Sequence, residues 1–214
     1  MKKLVLLFLF ILILVITLPN IINKLKYKYI ILITLDTLRQ DAISCYNSKI
    51  TYTPNFHQIA QEGIKFVNAY THIPITLPSH ASMLYSKEPW DLYSFFNGEP
   101  LETNHISLQE ILKKHGYITA AFTSLGVLQK TFGLSSYFDY YQDTSVSDKR
   151  PYLFADEVNK EAFAWLDKHY KDPFFMWLHY SDPHEPYLPK FSPYDLNIEF
   201  NNSFILKIQS GLKE

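Results

Sequence analysis

Residues 29–37, YIILITLDT, form a continuous β-branched and apolar run that ends in a carboxylate. Tyr29 to Thr34 lacks the alternating polar face of a half-exposed strand, so it suits a strand buried on both sides of a parallel sheet. Open α/β sheets gather their ligands at the C-terminal ends of their strands, which makes Asp36 a candidate for metal or substrate chemistry. A turn or a helix N-cap is the other common use of an aspartate at such a place.

Downstream, helix and strand signals alternate. Pro54 to Gln61 predicts a short helix with proline in its first turn and Gly63 beyond its end, and Ile64 to Tyr70 predicts a strand. Ser107-Leu-Gln-Glu110 has the form of a capping box, opening a helix that Gly116 closes, with a strand over Tyr117 to Phe122. Between Phe154 and Tyr170, apolar Val158, Ala162, Trp165 and Leu166 recur at helical spacing; Phe174 to His179, FFMWLH, is again strand-like. Repeated βα order implies an α/β fold with a mostly parallel central sheet flanked by helices. The irregular stretches Lys87 to Asn104 and Tyr140 to Arg150 are expected as surface excursions.

Two stretches concentrate reactive groups. Thr71 to Tyr85, THIPITLPSHASMLY, puts Thr76, Pro78, Ser79 and His80 at the expected start of a helix. Unpaired N–H groups and a positive dipole end suit a phosphate or sulfate there, and an ordinary proline-led, serine-capped helix start fits the same residues. Tyr180 to Tyr187, YSDPHEPY, follows the last strand and offers groups that bind ligands or carry protons. Asp182 also suits the turn before Pro183, and His179 reads as a packed strand-end residue.

Composition narrows the classes. A chain of 214 residues, 47% hydrophobic and 16% aromatic, can bury a sizeable core. A formal net charge of −1 gives no electrostatic footprint for nucleic acid. The single cysteine, Cys45, excludes an intrachain disulfide and a multi-cysteine zinc site. Lys2 and Lys3 precede LVLLFLFILILVITL, residues 4–18, which as a helix would run about 22 Å and, extended to Ile22, approach the thickness of a bilayer core. Val15 to Lys24 holds no Ala, Gly or Ser, so an uncleaved single-pass anchor is expected over a signal peptide. The expected organisation is anchor and linker over 1–28, an α/β domain over 29–190 and a tail over 191–214.

Five motifs, in order and in register, carry a family resemblance: ILITLDTLRQDAISCY from Ile31, TPNFHQIAQEGIKFVNAY from Thr53, PITLPSHASML from Pro74, GYITAAFTS from Gly116 with FGLSSYFDYY from Phe132, and WLHYSDPHEPY from Trp177. Together they resemble the N-terminal part of the sulfatase family, within the alkaline phosphatase superfamily. The resemblance implies hydrolysis of sulfate or phosphate esters, assisted by a divalent cation (Ca, Mg, Mn or Zn), by a membrane-anchored, extracytoplasmic domain. It places Asp36 on a metal-ligand aspartate, Thr76 on the nucleophile and a metal ligand, and His184 on the active-site histidine. Thr37, Ser79 and His80 would line the substrate pocket.

The departures from the pattern are informative. Sulfatases carry Cys or Ser, converted to formylglycine, where this chain has Thr76, and arginine where it has His80. A threonine nucleophile resembles the phosphatase relatives and transferases of the phosphoethanolamine or phosphoglycerol type. Ser124 stands roughly where many members have an active-site lysine, and the later Ser-Asp-His-Gly-like motif that supplies further metal ligands does not occur. The chain is therefore expected to be either an ester hydrolase or a truncated, non-catalytic fragment completed by a second chain.

Overall fold

The structure is a computed structural model, and it describes residues 27–50, 53–102, 104–142 and 150–185. The expected anchor over 4–22 and the tail over 191–214 lie outside the described residues. Among the described residues no helix is long and apolar enough to cross a membrane.

Strands β1 (Tyr29–Leu35), β2 (Ile118–Phe122), β3 (Tyr140–Gln142) and β4 (Phe174–Tyr180) form one sheet in the order β1-β4-β2-β3. Every pairing is parallel. Helices α1 (Pro54–Glu62), α2 (Thr76–Tyr85) and α3 (Leu108–Lys114) lie between β1 and β2, and α4 (Ala155–His169) lies between β3 and β4. The predicted α/β class therefore holds, with strand and helix limits shifted by a residue or so.

The period of two in β4 splits its apolar run between two cores. Phe175 and Trp177 point to the side of α2, packing with Leu77, Ala81 and Leu84. Phe174, Met176 and Leu178 point to the side of α4, with Val158, Ala162 and Leu166. His179, next in the alternation after Trp177, consequently falls on the side of α2. That alternation, more than any local motif, brings a histidine to α2.

Two expectations are corrected. Ile64 to Tyr70 is not a strand; no described strand pairs with it, and Ile64 and Tyr70 are 85% and 89% exposed. Side chains hold this stretch instead, through Tyr46 Oη to the Phe66 carbonyl and Lys65 Nζ to the Cys45 carbonyl. Conversely, Tyr140 to Gln142 is an edge strand, recruited by parallel pairing to Ala120–Phe122. The Ser107 box is half formed. Its Oγ accepts from the Glu110 N–H at 3.2 Å, while the Glu110 carboxylate turns to Lys114 at 2.6 Å. Gly116 takes the left-handed conformation that ends α3, at φ 88°.

Candidate active site

β1 and β4 end together, with Thr34 opposite His179 and Leu35 opposite Tyr180. The chain leaves β1 through Asp36, whose N–H bonds the Tyr180 carbonyl at 2.9 Å. α2 points its N-terminus at this same place. The Thr76 hydroxyl donates to Asp36 Oδ2 at 3.0 Å, joining residues that the sequence separates widely. The helix start has no cap of its own, since Ile75 precedes it. Asn97, from the irregular stretch after α2, reaches back and accepts from the Leu77 N–H at 2.9 Å.

Behind Asp36 lies a buried pair of imidazoles. His179 is fully buried; its Nδ1 is 2.9 Å from Ser124 Oγ, and its Nε2 approaches Asp36 Oδ2 to 3.4 Å without the alignment of a hydrogen bond. His80 donates from Nδ1 to the Thr76 carbonyl at 2.7 Å, which leaves Nε2 buried with no hydrogen-bond partner among the described residues. The two rings meet edge to face at 4.9 Å, with Trp177 5.4 Å from His80.

This environment sets the charges. Burial first, and then the neighbouring His179, push the His80 pKa down to about 4, against the raising effect of the Thr76 carbonyl and Asp36. For Asp36, burial favours the neutral acid, but His179 and the Thr76 hydroxyl together outweigh it and hold the carboxyl below its usual range. Asp36 is thus an anion facing a neutral His80.

A stability prediction follows. His80 binds its proton more weakly in the folded chain than in the unfolded one, where 6.5 is the ordinary value. Acidification from pH 6.5 towards 4 therefore favours unfolding, and the full effect is about 3 kcal/mol. Urea unfolding across this range is expected to show stability rising with pH, and a His80→Leu variant a flatter profile. Equal slopes would remove His80 as the cause.

In front of Thr76 opens a cleft of about 690 Å³. Thr76, Asn97, Ser181, Asp182 and His184 contribute polar groups, while Leu125, Val127, Phe132 and the run Pro151–Phe154 make apolar walls. His184 Nδ1 donates to the Glu185 carbonyl at 2.8 Å, so Nε2 is the nitrogen available to a ligand. Thr76 and His184 therefore line one cleft. Thr37, Ser79 and His80 are not among its lining residues. Thr37 donates to the Pro183 carbonyl, Ser79 pairs with Thr71, and His80 lies buried behind Thr76. Arg39 and Asp41 bond one another on the surface.

The donors for a metal are sparse. Asp36 and Thr76 together offer one carboxylate and one hydroxyl, and no group of three or more His, Cys, Asp or Glu side chains among the described residues could hold an ion. Hard divalent cations take six or more oxygen ligands. The described residues alone do not make a metal site, and no step below runs through one.

Sequence reasoning missed the approach of His179 to Asp36 and the reach of Asn97. The first was accessible from strand alternation combined with the β1–β4 register. The second lies in an irregular segment without periodicity.

Comparison with known proteins supplies the family. The sulfatase family description matches residues 28–203. An N-acetylglucosamine-6-O-sulfatase of Bacteroides thetaiotaomicron is 28% identical over 196 residues, 85% of this chain and 34% of that protein. An ulvan-active sulfatase of Formosa agariphila is 27% identical, over 74% of this chain and 36% of its own. The chain thus spans about a third of the length of these relatives. Among solved structures, a phosphonate monoester hydrolase of Agrobacterium radiobacter shares the fold at a TM-score of 0.61 and 18% identity, covering 78% of this chain and 44% of that one. The C-terminal periplasmic domain of EcEptC from Escherichia coli does so at 0.62 and 16%, covering 88% and 55%; its complex with Zn scores 0.59. With the family description matching from the start of β1 to beyond β4, the chain belongs to the sulfatase family.

Proposed function

We propose that this chain carries the nucleophile side of an ester-hydrolysing site, with Thr76 attacking the sulfur or phosphorus of a sulfate or phosphate ester. The observation that carries the reading is the Thr76 hydroxyl donating to Asp36 at the start of α2, beside an open cleft. Thr76 Oγ would form the new bond to the central atom as its proton passes to Asp36 Oδ2, and the ester oxygen would leave as the alcohol, taking the Nε2 proton of His184 in its imidazolium form. Water then cleaves the threonyl ester and restores the hydroxyl. A second alcohol in place of water would make the same site a transferase.

A divalent cation at Asp36 and Thr76 would need further ligands from outside the described residues. One observation favours a second reading, a non-catalytic fragment or half of a split protein: no group of three or more His, Cys, Asp or Glu side chains among the described residues could hold a metal ion. We further propose a single-pass membrane tether through residues 4–22, with the domain on the extracytoplasmic side, on the strength of that apolar run.

The test is turnover of 4-nitrophenyl phosphate and 4-nitrophenyl sulfate by the full chain, after chelation and with Mg, Mn, Ca or Zn restored in turn. Turnover of either ester, with or without a restored metal, that Thr76→Ala abolishes supports the hydrolase. Its absence with every metal selects the non-catalytic reading.

A further inference from the structure

The cleft has a second polar end that the proposed chemistry does not use. Asp182 accepts from the Ala155 N–H through Oδ1 at 3.3 Å, which ties it to the start of α4. Its other oxygen, Oδ2, is buried without a hydrogen-bond partner among the described residues. A carboxylate oxygen taken from water and left unmatched costs free energy, so its retention beside a cleft calls for a partner that arrives with the ligand.

The walls around it specify which partner. Tyr152 and Phe154 line the cleft and stand nearly perpendicular, rings 5.4 Å apart at 82°. Phe154 directly precedes the Ala155 that Asp182 caps. Glu185 lines the same cleft, and among the described lining residues there is no lysine or arginine. An aromatic corner beside carboxylates is complementary to an ammonium group, which gains from the ring faces and from the anion together. The nearby guanidinium of Arg150 lies 5.3 Å from the Phe154 ring and is committed to Glu157 at 2.7 Å; it is not one of the lining residues.

We propose that Asp182, with the Tyr152–Phe154 corner, forms a subsite for an ammonium group on the alcohol portion of the ester, and that the cleft selects amine-bearing alcohols over neutral or anionic ones. This rests on the proposed reading of Thr76 as the nucleophile, which sets where the ester group lies. Polyanionic substrates would meet Asp182 and Glu185 as like charges.

Binding and turnover separate the two ideas. The full chain is titrated calorimetrically with tyramine, 4-ethylphenol and 4-hydroxybenzoate, and turnover is followed with tyramine O-phosphate and 4-ethylphenyl phosphate. Tyramine is expected to bind about tenfold more tightly than 4-ethylphenol, the order of one cation–aromatic contact, with 4-hydroxybenzoate weakest. Asp182→Asn keeps an oxygen for the Ala155 N–H but removes the charge, so the preference should collapse. Glu185→Gln, at an exposed position, should reduce the preference without risk to folding. Equal binding of the amine and neutral compounds, or a preference that survives both substitutions, overturns the subsite. Amine-selective binding without turnover keeps the subsite and counts against the nucleophile reading; turnover without selectivity does the reverse.

Discussion

If Thr76 is the nucleophile as proposed, the Thr76→Ala variant is expected to lose turnover of an aryl phosphate or sulfate by about 10³-fold or more, the scale on which removing a covalent nucleophile acts. The fold should survive the change. Thr76 is the first residue of α2, the Leu77 N–H keeps its bond to Asn97, and only the hydroxyl contact to Asp36 is lost. One such hydrogen bond contributes about 1 kcal/mol, small against the stability of a domain. Thr76→Ser retains the oxygen and should keep part of the rate. A loss of less than about tenfold for Thr76→Ala, with the protein still folded, would mean that another group or water attacks the ester.

The second large effect is on stability. Trp177→Ala is expected to cost about 3–5 kcal/mol in urea unfolding, as truncation of a fully buried aromatic residue does. Trp177 is completely buried on β4, its Nε1 donates to Thr34 Oγ1 at 3.1 Å, and its ring lies against Phe138 and Tyr141. Since total stabilities are about 5–15 kcal/mol, such a loss could unfold much of the population. The same ring supports His80 at 5.4 Å, so activity should fall even in the molecules that remain folded. Trp177→Phe should be milder. A cost below about 1 kcal/mol for Trp177→Ala would show that the α2-side core repacks around the gap.

Both β1 and β4 were legible as strands from their uninterrupted apolar runs, but only β4 is covered on both faces as that pattern implies. β1, expected to be buried on both sides, has a described strand neighbour on one side only; its residues are at most partly buried and Ile33 is 55% exposed. Ile64 to Tyr70 has the same local character without a described neighbour, and there the pattern misled: strand propensity measures fit to a sheet that must exist elsewhere. Tyr140 to Gln142 erred the other way, too short to register until β2 offered an edge. At the site, Asp36 and Thr76 were found by strand-end logic and by resemblance, and they do meet. The imidazole pair was hidden because His80 and His179 acquire meaning only from alternation along β4 and the crossing of α2 over it. The resemblance put His80 in the substrate pocket; packing made it an internal support.

The parallel pairing of β1 with β4 also bears on the order of events in synthesis. β1 is made first, yet the described strand that pairs with it, Phe174–Tyr180, is made last. Until then a strand with Ile30, Ile31 and Leu32 must wait, its backbone groups open to other chains, and closing so long a loop is slow. The alignment of Asp36 with Thr76 is accordingly a late event, complete only when β4 has emerged and docked. Newly made chains would spend their most aggregation-prone interval before the active-site residues meet, so chaperone demand and the appearance of activity should rise and fall together.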